Sequence, residues 1–207
     1  MFLFLFLGEL GMDLSELKLK LICVDMLNVA KRRYKYRELS KVLKLPPTVL
    51  NRYCKARTLP SIERAMEICD KLVRIVWFDI RLSPQMCDPH DLRLVAGMIV
   101  KDLYGRRVTR VLTSVLDNVP LATLVSDYLD KPLVVATLKP TMNVDDMVFS
   151  AGSDGTLMFV PKEALSSRDS VLIVCEGEKT GGILKSIVSK FKADVTDVIA
   201  TGKLFKH

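Results

Sequence analysis

The sequence predicts two folded parts, an all-α N-terminal domain and a C-terminal α/β domain built on a largely parallel sheet. Three observations lead there. Apolar residues recur at helical spacing from Asp13 to about position 75. Beyond about position 105, strand-like and helix-like stretches alternate, the pattern of parallel strands joined by helices. The charge is also divided: residues 1–76 carry 15 Lys and Arg against 8 Asp and Glu, whereas residues 77–207 carry 16 of each. The surplus of +7 therefore belongs to the N-terminal part alone, which points to double-stranded DNA as the partner of that part and to a different task for the other.

Composition narrows the classes further. A chain of 207 residues, 49% hydrophobic and 27% charged, can bury a good core in one domain or two small ones. Its five cysteines, Cys23, Cys54, Cys69, Cys87 and Cys175, are odd in number and hold no CxxC pair, so reduced, mostly buried thiols in a cytoplasmic protein are expected. With only His90 and His207, there is little material for a zinc site or a His-based triad, and neither a metal site nor a catalytic constellation is expected. The apolar stretch 1–7 is far shorter than the roughly 20 residues that span a bilayer, and no membrane partner is expected. Three readings of it stay open: a strand, a dimer contact, or a translation-start artefact with Met12 as the true start.

The elements follow in order. From Asp13, the residues Leu14, Leu17, Leu21, Val24, Leu27 and Val29 recur at helical spacing, and Lys31, Arg32 and Arg33 close that helix. Residues 36–43 form a second, short helix, which Lys44-Leu45-Pro46-Pro47 stops. Thr48 caps a third helix over 49–56, with Leu50 and either Tyr53 or Cys54 inward and Asn51, Arg52 and Lys55 outward. After the break at 57–61, Ser61 opens a fourth helix. The pattern fails between 76 and 87, read as a linker between domains 1–75 and 88–207. Asp88-Pro89 then starts a helix that runs to Gly105.

In the C-terminal part, 108–112 is a strand with the loop 113–118 at its carboxyl end, 120–129 a helix, and 133–138 a second strand. The polar stretch 139–154 reads as a long mobile connection, and 156–160 as a strand returning along the sheet edge. Four consecutive apolar residues, Val171-Leu172-Ile173-Val174, predict a central strand buried on both faces. Gly177, Gly181 and Gly182 let the following backbone curl, and Ile183, Leu184, Ile187, Val188 and Phe191 continue as a helix. A strand, a glycine turn and a helix start suit phosphate, because unpaired N–H groups and the helix dipole favour negative charge there. Lys179 and Thr180 add a charged donor and a hydroxyl. Residues 195–200 close the sheet, and three loops, at 113–118, from Lys139 onward and at 175–182, converge beyond the strand ends.

Two short helices around a tight turn, the second exposing Thr, Asn, Arg and Lys, suit a major groove. The order of Tyr36-Arg37-Glu38-Leu39-Ser40, Leu45-Pro46-Pro47-Thr48-Val49-Leu50, Arg52-Tyr53 and Arg57-Thr58-Leu59-Pro60-Ser61 resembles the Cro/repressor class of helix-turn-helix domains. The resemblance implies that Thr48, Val49, Asn51 and Arg52 lie nearest the bases, with Lys55 and Arg57 nearer the backbone; Arg37 joins this DNA-binding set.

The C-terminal hundred or so residues resemble a Rossmann-like type I phosphoribosyltransferase domain. The resemblance lies in the strand and loop before Pro120-Leu121-Ala122, Lys139 ending the next strand, a long hood-like loop, and Val171-Leu172-Ile173-Val174 leading into Thr180-Gly181-Gly182. A helix-turn-helix in front of such a domain resembles archaeal transcription regulators and, by architecture, the bacterial purine repressor. In the family two adjacent acids hold the ribose hydroxyls of phosphoribosyl pyrophosphate, and the Thr-Gly-Gly loop holds its 5-phosphate. The resemblance thus implies a ligand set of Lys139, on the pyrophosphate side, with Glu176, Gly177, Lys179, Thr180, Gly181 and Gly182.

Departures from the pattern bear on mechanism. Cys175 stands where the first acid would be, and a thiol cannot accept two hydroxyl hydrogen bonds as a carboxylate does. Glu178 adds negative charge to the phosphate loop unless it turns away or pairs with Lys179. The 113–118 loop also lacks glycine. The expectation is a homodimeric transcription regulator whose C-terminal domain senses a phosphorylated ligand, phosphoribosyl pyrophosphate or a nucleotide, without catalysis and with no required cofactor. The alternatives are an active phosphoribosyltransferase with an accessory nucleic-acid-binding domain, and a regulator whose C-terminal domain serves only as a dimerisation scaffold. Cys175, beside a glycine turn and Lys179, also raises the expectation of a thiol with lowered pKa, against that of a small residue packed at a strand end.

Overall fold

In a computed structural model of the chain, residues 14–76, 82–83, 86–117 and 119–204 are described. The readings of 1–7 and Met12, of residues 77–81 and of Asn118 lie outside them. The chain divides into two compact units, residues 1–82 with 88–104 and residues 83–87 with 105–207.

The first unit is helical. Helix α1 (Leu14–Arg33) carries Lys31, Arg32 and Arg33 in its last turn, where cations complement the helix dipole. Its buried side includes Leu19, Ile22, Cys23, Met26, Leu27 and Ala30. Helix α2 (Tyr36–Leu43) ends at Lys44, which takes the left-handed conformation at φ 53°. Ser40 fastens the turn, accepting at its carbonyl from the Leu45 N–H (3.2 Å) and donating its hydroxyl to the Leu45 carbonyl (2.6 Å). Helix α3 (Pro47–Cys54) corrects the expected cap: Pro46 is the N-cap, and Pro47 takes the first helical position, where a missing N–H costs nothing. Thr48 therefore lies inside the helix, which stops at Cys54 and not at 56. Of the two inward alternatives it is Cys54 that joins Leu50 in the core. Helix α4 (Ile62–Val76) opens as expected, with Ser61 Oγ accepting from the Arg64 N–H at 3.3 Å.

Helix α5 (Pro89–Asp102) starts at the Asp88 cap, which accepts from the His90 N–H at 2.8 Å. It was expected to open the C-terminal domain, yet it belongs to the first unit. The cause is close packing on α1. A Cβ at Gly97 would lie 2.6 Å from Met26 Sδ and 3.1 Å from Ile22 Cγ2, so glycine lets the helices approach without displacing the Met26 side chain. The buried Asp91 pairs with Arg33 of α1, and Lys101 pairs with Asp70 of α4. The division between units accordingly falls after Tyr104.

The second unit is α/β. Strands β1 (Arg110–Ser114), β2 (Leu133–Ala136), β5 (Ser170–Cys175) and β6 (Asp194–Ala200) form a parallel sheet in the order β2-β1-β5-β6. All six residues of β5 are buried, as its apolar run required. Helix α6 (Val119–Leu129) follows β1, α7 (Glu178–Lys190) follows β5, and a short α8 (Thr201–Leu204) follows β6. Leu112, Ile173, Leu184, Ile187 and Val188 lie in one core with Met158 and Val160.

Two expectations fail between β2 and β5. The stretch 139–154, read as a mobile connection, contains β3 (Met147–Ala151), and 156–160 is not an edge strand of the main sheet. β3 pairs antiparallel with β4 (Leu157–Pro161) in a separate hairpin, joined to the end of β2 by a bridge between Thr137 and Phe159. Met147 and Ser150 are buried while Phe149 is exposed, so the strand has too few inward apolar residues to stand out among its polar neighbours.

Candidate functional site

The basic face of the first unit is carried by α3. Its inward residues are Leu50 and Cys54, so the positions about half a turn away, Thr48 and Arg52, are exposed, as are Lys55 and Arg57 just beyond and Arg37 on α2. Val49 and Asn51 flank this face and are half-buried, which places them less openly than Thr48 and Arg52. Asn28 of α1 fixes α3 from behind, donating to the Cys54 carbonyl at 3.1 Å.

In the second unit the turn between β5 and α7 is built differently from the expected curled loop. Helix α7 begins at Glu178 with Gly177 as its N-cap, so Lys179, Thr180, Gly181 and Gly182 are helical. None of the three glycines has a positive φ; Gly177 is extended at φ −149°. Gly181 serves close packing, since a Cβ there would lie 3.1 Å from Cys175 Sγ. The Gly181 N–H already bonds the Gly177 carbonyl at 3.0 Å. The N–H groups that precede it in the first turn, on Glu178, Lys179 and Thr180, are those a helix start leaves for an anion.

The turn is pinned from two sides by residues that sequence reasoning passed over. Asp117, only 6% exposed, accepts the Glu176 N–H at 2.7 Å and the Ser114 hydroxyl at 2.7 Å. After β6, the Gly202 N–H donates to the Glu176 carbonyl at 2.7 Å and the Thr201 hydroxyl to the Cys175 carbonyl at 3.2 Å. A Cβ at Gly202 would come within 2.6 Å of the Glu176 carbonyl oxygen, so glycine is required there. The backbone of Glu176 is thus held while its side chain is exposed. A loop of mixed polarity and a short Thr-Gly pair give no periodic signal, which is why neither stood out.

Beside this turn lies a cavity of about 480 Å³, between α7 and the end of β6. Cys175, Gly177, Glu178, Gly181, Gly182 and Lys185 line one side and Val198 to Ala200 the other. Lys139 and the 113–118 loop do not line it, so the three expected loops do not share this space; Lys139 is exposed beyond β2. Burial pushes the Asp117 carboxyl above its ordinary range, and the nearby Glu176 charge adds to that. Burial, with the Asp117 charge second, likewise pushes the Cys175 thiol up to about 11, while Lys185 acts in the opposite sense. Cys175 is therefore a neutral, buried thiol, which agrees with the reading of a small residue packed at a strand end and not with that of a thiol of lowered pKa. Among the described residues no cluster of His, Cys, Asp and Glu could hold a metal ion, and no helix is long and apolar enough to cross a membrane.

Comparison with known proteins points to regulators. The chain is 26% identical to the purine biosynthesis transcriptional activator PurR of Lactococcus lactis subsp. lactis (strain IL1403) over 148 residues, covering 62% of this chain and 54% of that protein. It is 28% identical to the probable purine biosynthesis transcriptional regulator PurR of Streptococcus pneumoniae serotype 4 over 116 residues, covering 53% of this chain and 42% of that one. The chain spans about half the length of the curated relatives it matches. No protein-family model matches. Among solved structures, adenine phosphoribosyltransferase from Rhodothermus marinus superposes with a TM-score of 0.49 at 18% identity, covering 55% of this chain and 67% of that one.

Asp117 also bears on the acid that the phosphoribosyltransferase resemblance implies at position 175. It stands beside Glu176 and Cys175, but it is buried and both its oxygens already accept hydrogen bonds within the protein. It supports the turn and does not supply a second exposed carboxylate next to Glu176.

Proposed function

We propose that the chain is a DNA-binding transcription regulator whose α/β unit is phosphoribosyltransferase-like, holds a phosphorylated ligand beside the β5–α7 turn, and has no transferase activity. The observation that carries this reading is the exposed pair Thr48 and Arg52 on the second of two short helices joined by a fixed turn, with Lys55 and Arg57 exposed just past its end. A helix with such a face fits the major groove, Arg52 and Thr48 reaching base edges and Lys55, Arg57 and Arg37 neutralising phosphates. The similarity to regulators of purine biosynthesis supports the same reading, as does the order of elements in the second unit.

The ligand reading rests on the cavity beside the start of α7, which Glu178 and Lys185 line, and on the N–H groups of Glu178, Lys179 and Thr180 in the adjoining first helical turn as electropositive elements. Lys139 belongs to the proposed ligand set as a contact reached only by a ligand extending beyond the cavity. Lack of catalysis follows from Cys175, since a neutral thiol in place of a carboxylate cannot hold two ribose hydroxyls. In a homodimer, two α3 helices would meet half-sites about one helical turn apart. A ligand acts on such a regulator only by binding its two states unequally.

Gel-shift titration against the chain's own upstream DNA at several salt concentrations tests the proposal. Binding weakens steeply with salt and drops further in Arg52→Ala. Salt-insensitive binding, or binding that Arg52→Ala leaves unchanged, would refute it. Release of pyrophosphate from phosphoribosyl pyrophosphate with a nucleobase would overturn the non-enzymatic reading.

A further inference from the structure

The antiparallel hairpin of the second unit has one face made wholly of apolar side chains. β3 and β4 pair Met147 with Pro161, Phe149 with Phe159 and Ala151 with Leu157, so these six side chains share a face. Val148, Ser150, Met158 and Val160 form the other, which turns to the core: Met158 and Val160 lie in one cluster with Ile183 and Ile187, and Ser150 hydrogen-bonds Ser186 of α7 at 2.9 Å. On the first face Phe149 tilts against Phe159, ring centroids 5.5 Å apart, and stays 44% exposed, while Leu157 is 41% exposed. Leu138, Met142 and Val144, on the chain leading into β3, are exposed too. Among the described residues, five of the eleven exposed large hydrophobic side chains thus fall between 138 and 157, a concentration that marks a contact surface and not scattered exposure.

The edge of this hairpin is guarded against an added strand. The Gly152 N–H donates to the Thr156 carbonyl at 2.8 Å, and alternation from there leaves the N–H and C=O of Phe149 and Ala151 pointing away from β4. Lys190 reaches this edge from α7: its ammonium donates to the Phe149 carbonyl and lies 5.3 Å from the centroid of the Phe149 ring. A lysine set on a strand edge opposes pairing with another chain. Recognition therefore falls to the face and not to the edge.

The charges around the face fit a copy of itself. Acids stand at the two ends of the strands: Asp154 in the turn, and Asp145, Asp146 and Glu163 around Lys162 at the open end. Lysines stand at the two sides, Lys190 along β3 and Lys139 beyond β4, two residues after the Thr137 that bridges to Phe159. We infer that a second copy of the chain packs on this face, its hairpin crossed over the first about a two-fold axis near Phe149 and Phe159. Crossing near a right angle, one of the two ways in which sheets pack, sets the acidic ends of each hairpin over the lysine-bearing sides of the other. Aligned packing would set acids against acids and lysines against lysines. The choice of a second copy also rests on the DNA-binding reading above, in which two copies meet two half-sites.

Sedimentation velocity of the full chain over a range of concentrations, without DNA, is the test. The native chain passes from monomer to dimer as concentration rises. Phe149→Asp and Leu157→Asp each raise the dimer dissociation constant by about tenfold or more, the loss expected when a central apolar anchor is removed. Neither lowers the melting temperature of the dilute chain, because both side chains are exposed within one copy. Phe149→Asp and Phe149→Lys, each defective alone, dimerise when mixed, which requires the same face on both copies. Added salt loosens the native dimer, as crossed opposite charges require. A native chain that stays monomeric at every concentration overturns the inference, as does a dimer unmoved by both substitutions, a mixture that does not dimerise, or a dimer that salt tightens. A lower melting temperature of the dilute variants overturns it too, by showing that the face is covered from within the chain. The DNA-binding reading fails separately: a dimer broken by Phe149→Asp in a chain that binds no DNA keeps the interface and removes only the regulator.

Discussion

Replacing Asp117 tests how the β5–α7 turn is held. In the native chain its two oxygens accept from the Glu176 N–H and the Ser114 hydroxyl, both at 2.7 Å, and the carboxyl is almost fully buried. Asp117→Ala leaves both donors without an acceptor where little water reaches. A hydrogen bond to a charged acceptor contributes about 1.5–3 kcal/mol, so the loss of two, offset by the burial cost of the charge, destabilises the unit by about 3 kcal/mol. For a unit of roughly a hundred residues, each kcal/mol lowers the melting temperature by about 4–8 °C, giving a fall of about 12–24 °C. Asp117→Asn keeps an oxygen for Glu176 and loses only the acceptor for Ser114, so it costs about 1 kcal/mol. The two variants also differ in their pH response. Because the native carboxyl titrates above its ordinary value of 3.8, the folded state keeps a proton that the unfolded chain has lost. This contribution to stability therefore grows as pH falls through the native pKa toward 3.8, and Asp117→Asn abolishes it. Calorimetry of the full chain at a series of pH values provides the measurement. A fall of less than about 4 °C for Asp117→Ala, or equal falls for Ala and Asn, would show that the turn does not depend on this acceptor.

Two further outcomes follow from packing and burial. Gly97→Ala adds about 1 kcal/mol of helix propensity but forces a Cβ to within 2.6 Å of the buried Met26 Sδ, an overpacking that costs about 1–3 kcal/mol; the helical unit becomes less stable in urea titration, and a more stable variant would contradict the close contact of α1 and α5. Cys175, with its thiol at about 11, reacts with iodoacetamide at pH 8 far more slowly in the folded chain than in urea. The same raised value implies that stability declines as pH rises from the ordinary thiol value of 9.0 toward 11, and alkylation of Cys175 ahead of the other thiols in the folded chain would refute its burial.

The elements were legible in the sequence because most of them carry strong local signals. Prolines 46, 47 and 89, the caps at Ser61 and Asp88, and the apolar run of β5 each act within a few residues of the structure they cause. What escaped depends on distant partners. That α5 joins the first unit is decided by a missing side chain at Gly97, which is informative only once Met26 is known to lie opposite it. Strand β3 was hidden because a hairpin with one buried face needs few apolar residues. Asp117 appeared as one polar residue of an ordinary loop, 59 positions from the Glu176 N–H it holds. Tyr36 was seen as the start of a helix; its contacts with Lys31 and Asn51 exist only when α1, α2 and α3 are packed together.

Cys175 shows how one residue can mean different things at the two levels. As a sequence feature it departs from the acid that the phosphoribosyltransferase resemblance implies at that position, and under the proposed function it argues against holding ribose hydroxyls. In the structure it is the buried end of β5, beside Asp117 and under Gly181, where a Cβ would already come within 3.1 Å of its sulfur. A carboxylate in that place would be a second buried negative charge next to Asp117, with Glu176 a third acid on the following residue. Like charges in a desolvated site oppose one another, and one would have to take up a proton or turn out to water. A neutral thiol avoids that conflict and lets Asp117 keep both hydrogen bonds that fix the turn. On the proposed reading, the residue that argues against catalysis is therefore the same one that lets Asp117 hold the start of α7, where the proposed anion would meet fixed N–H groups.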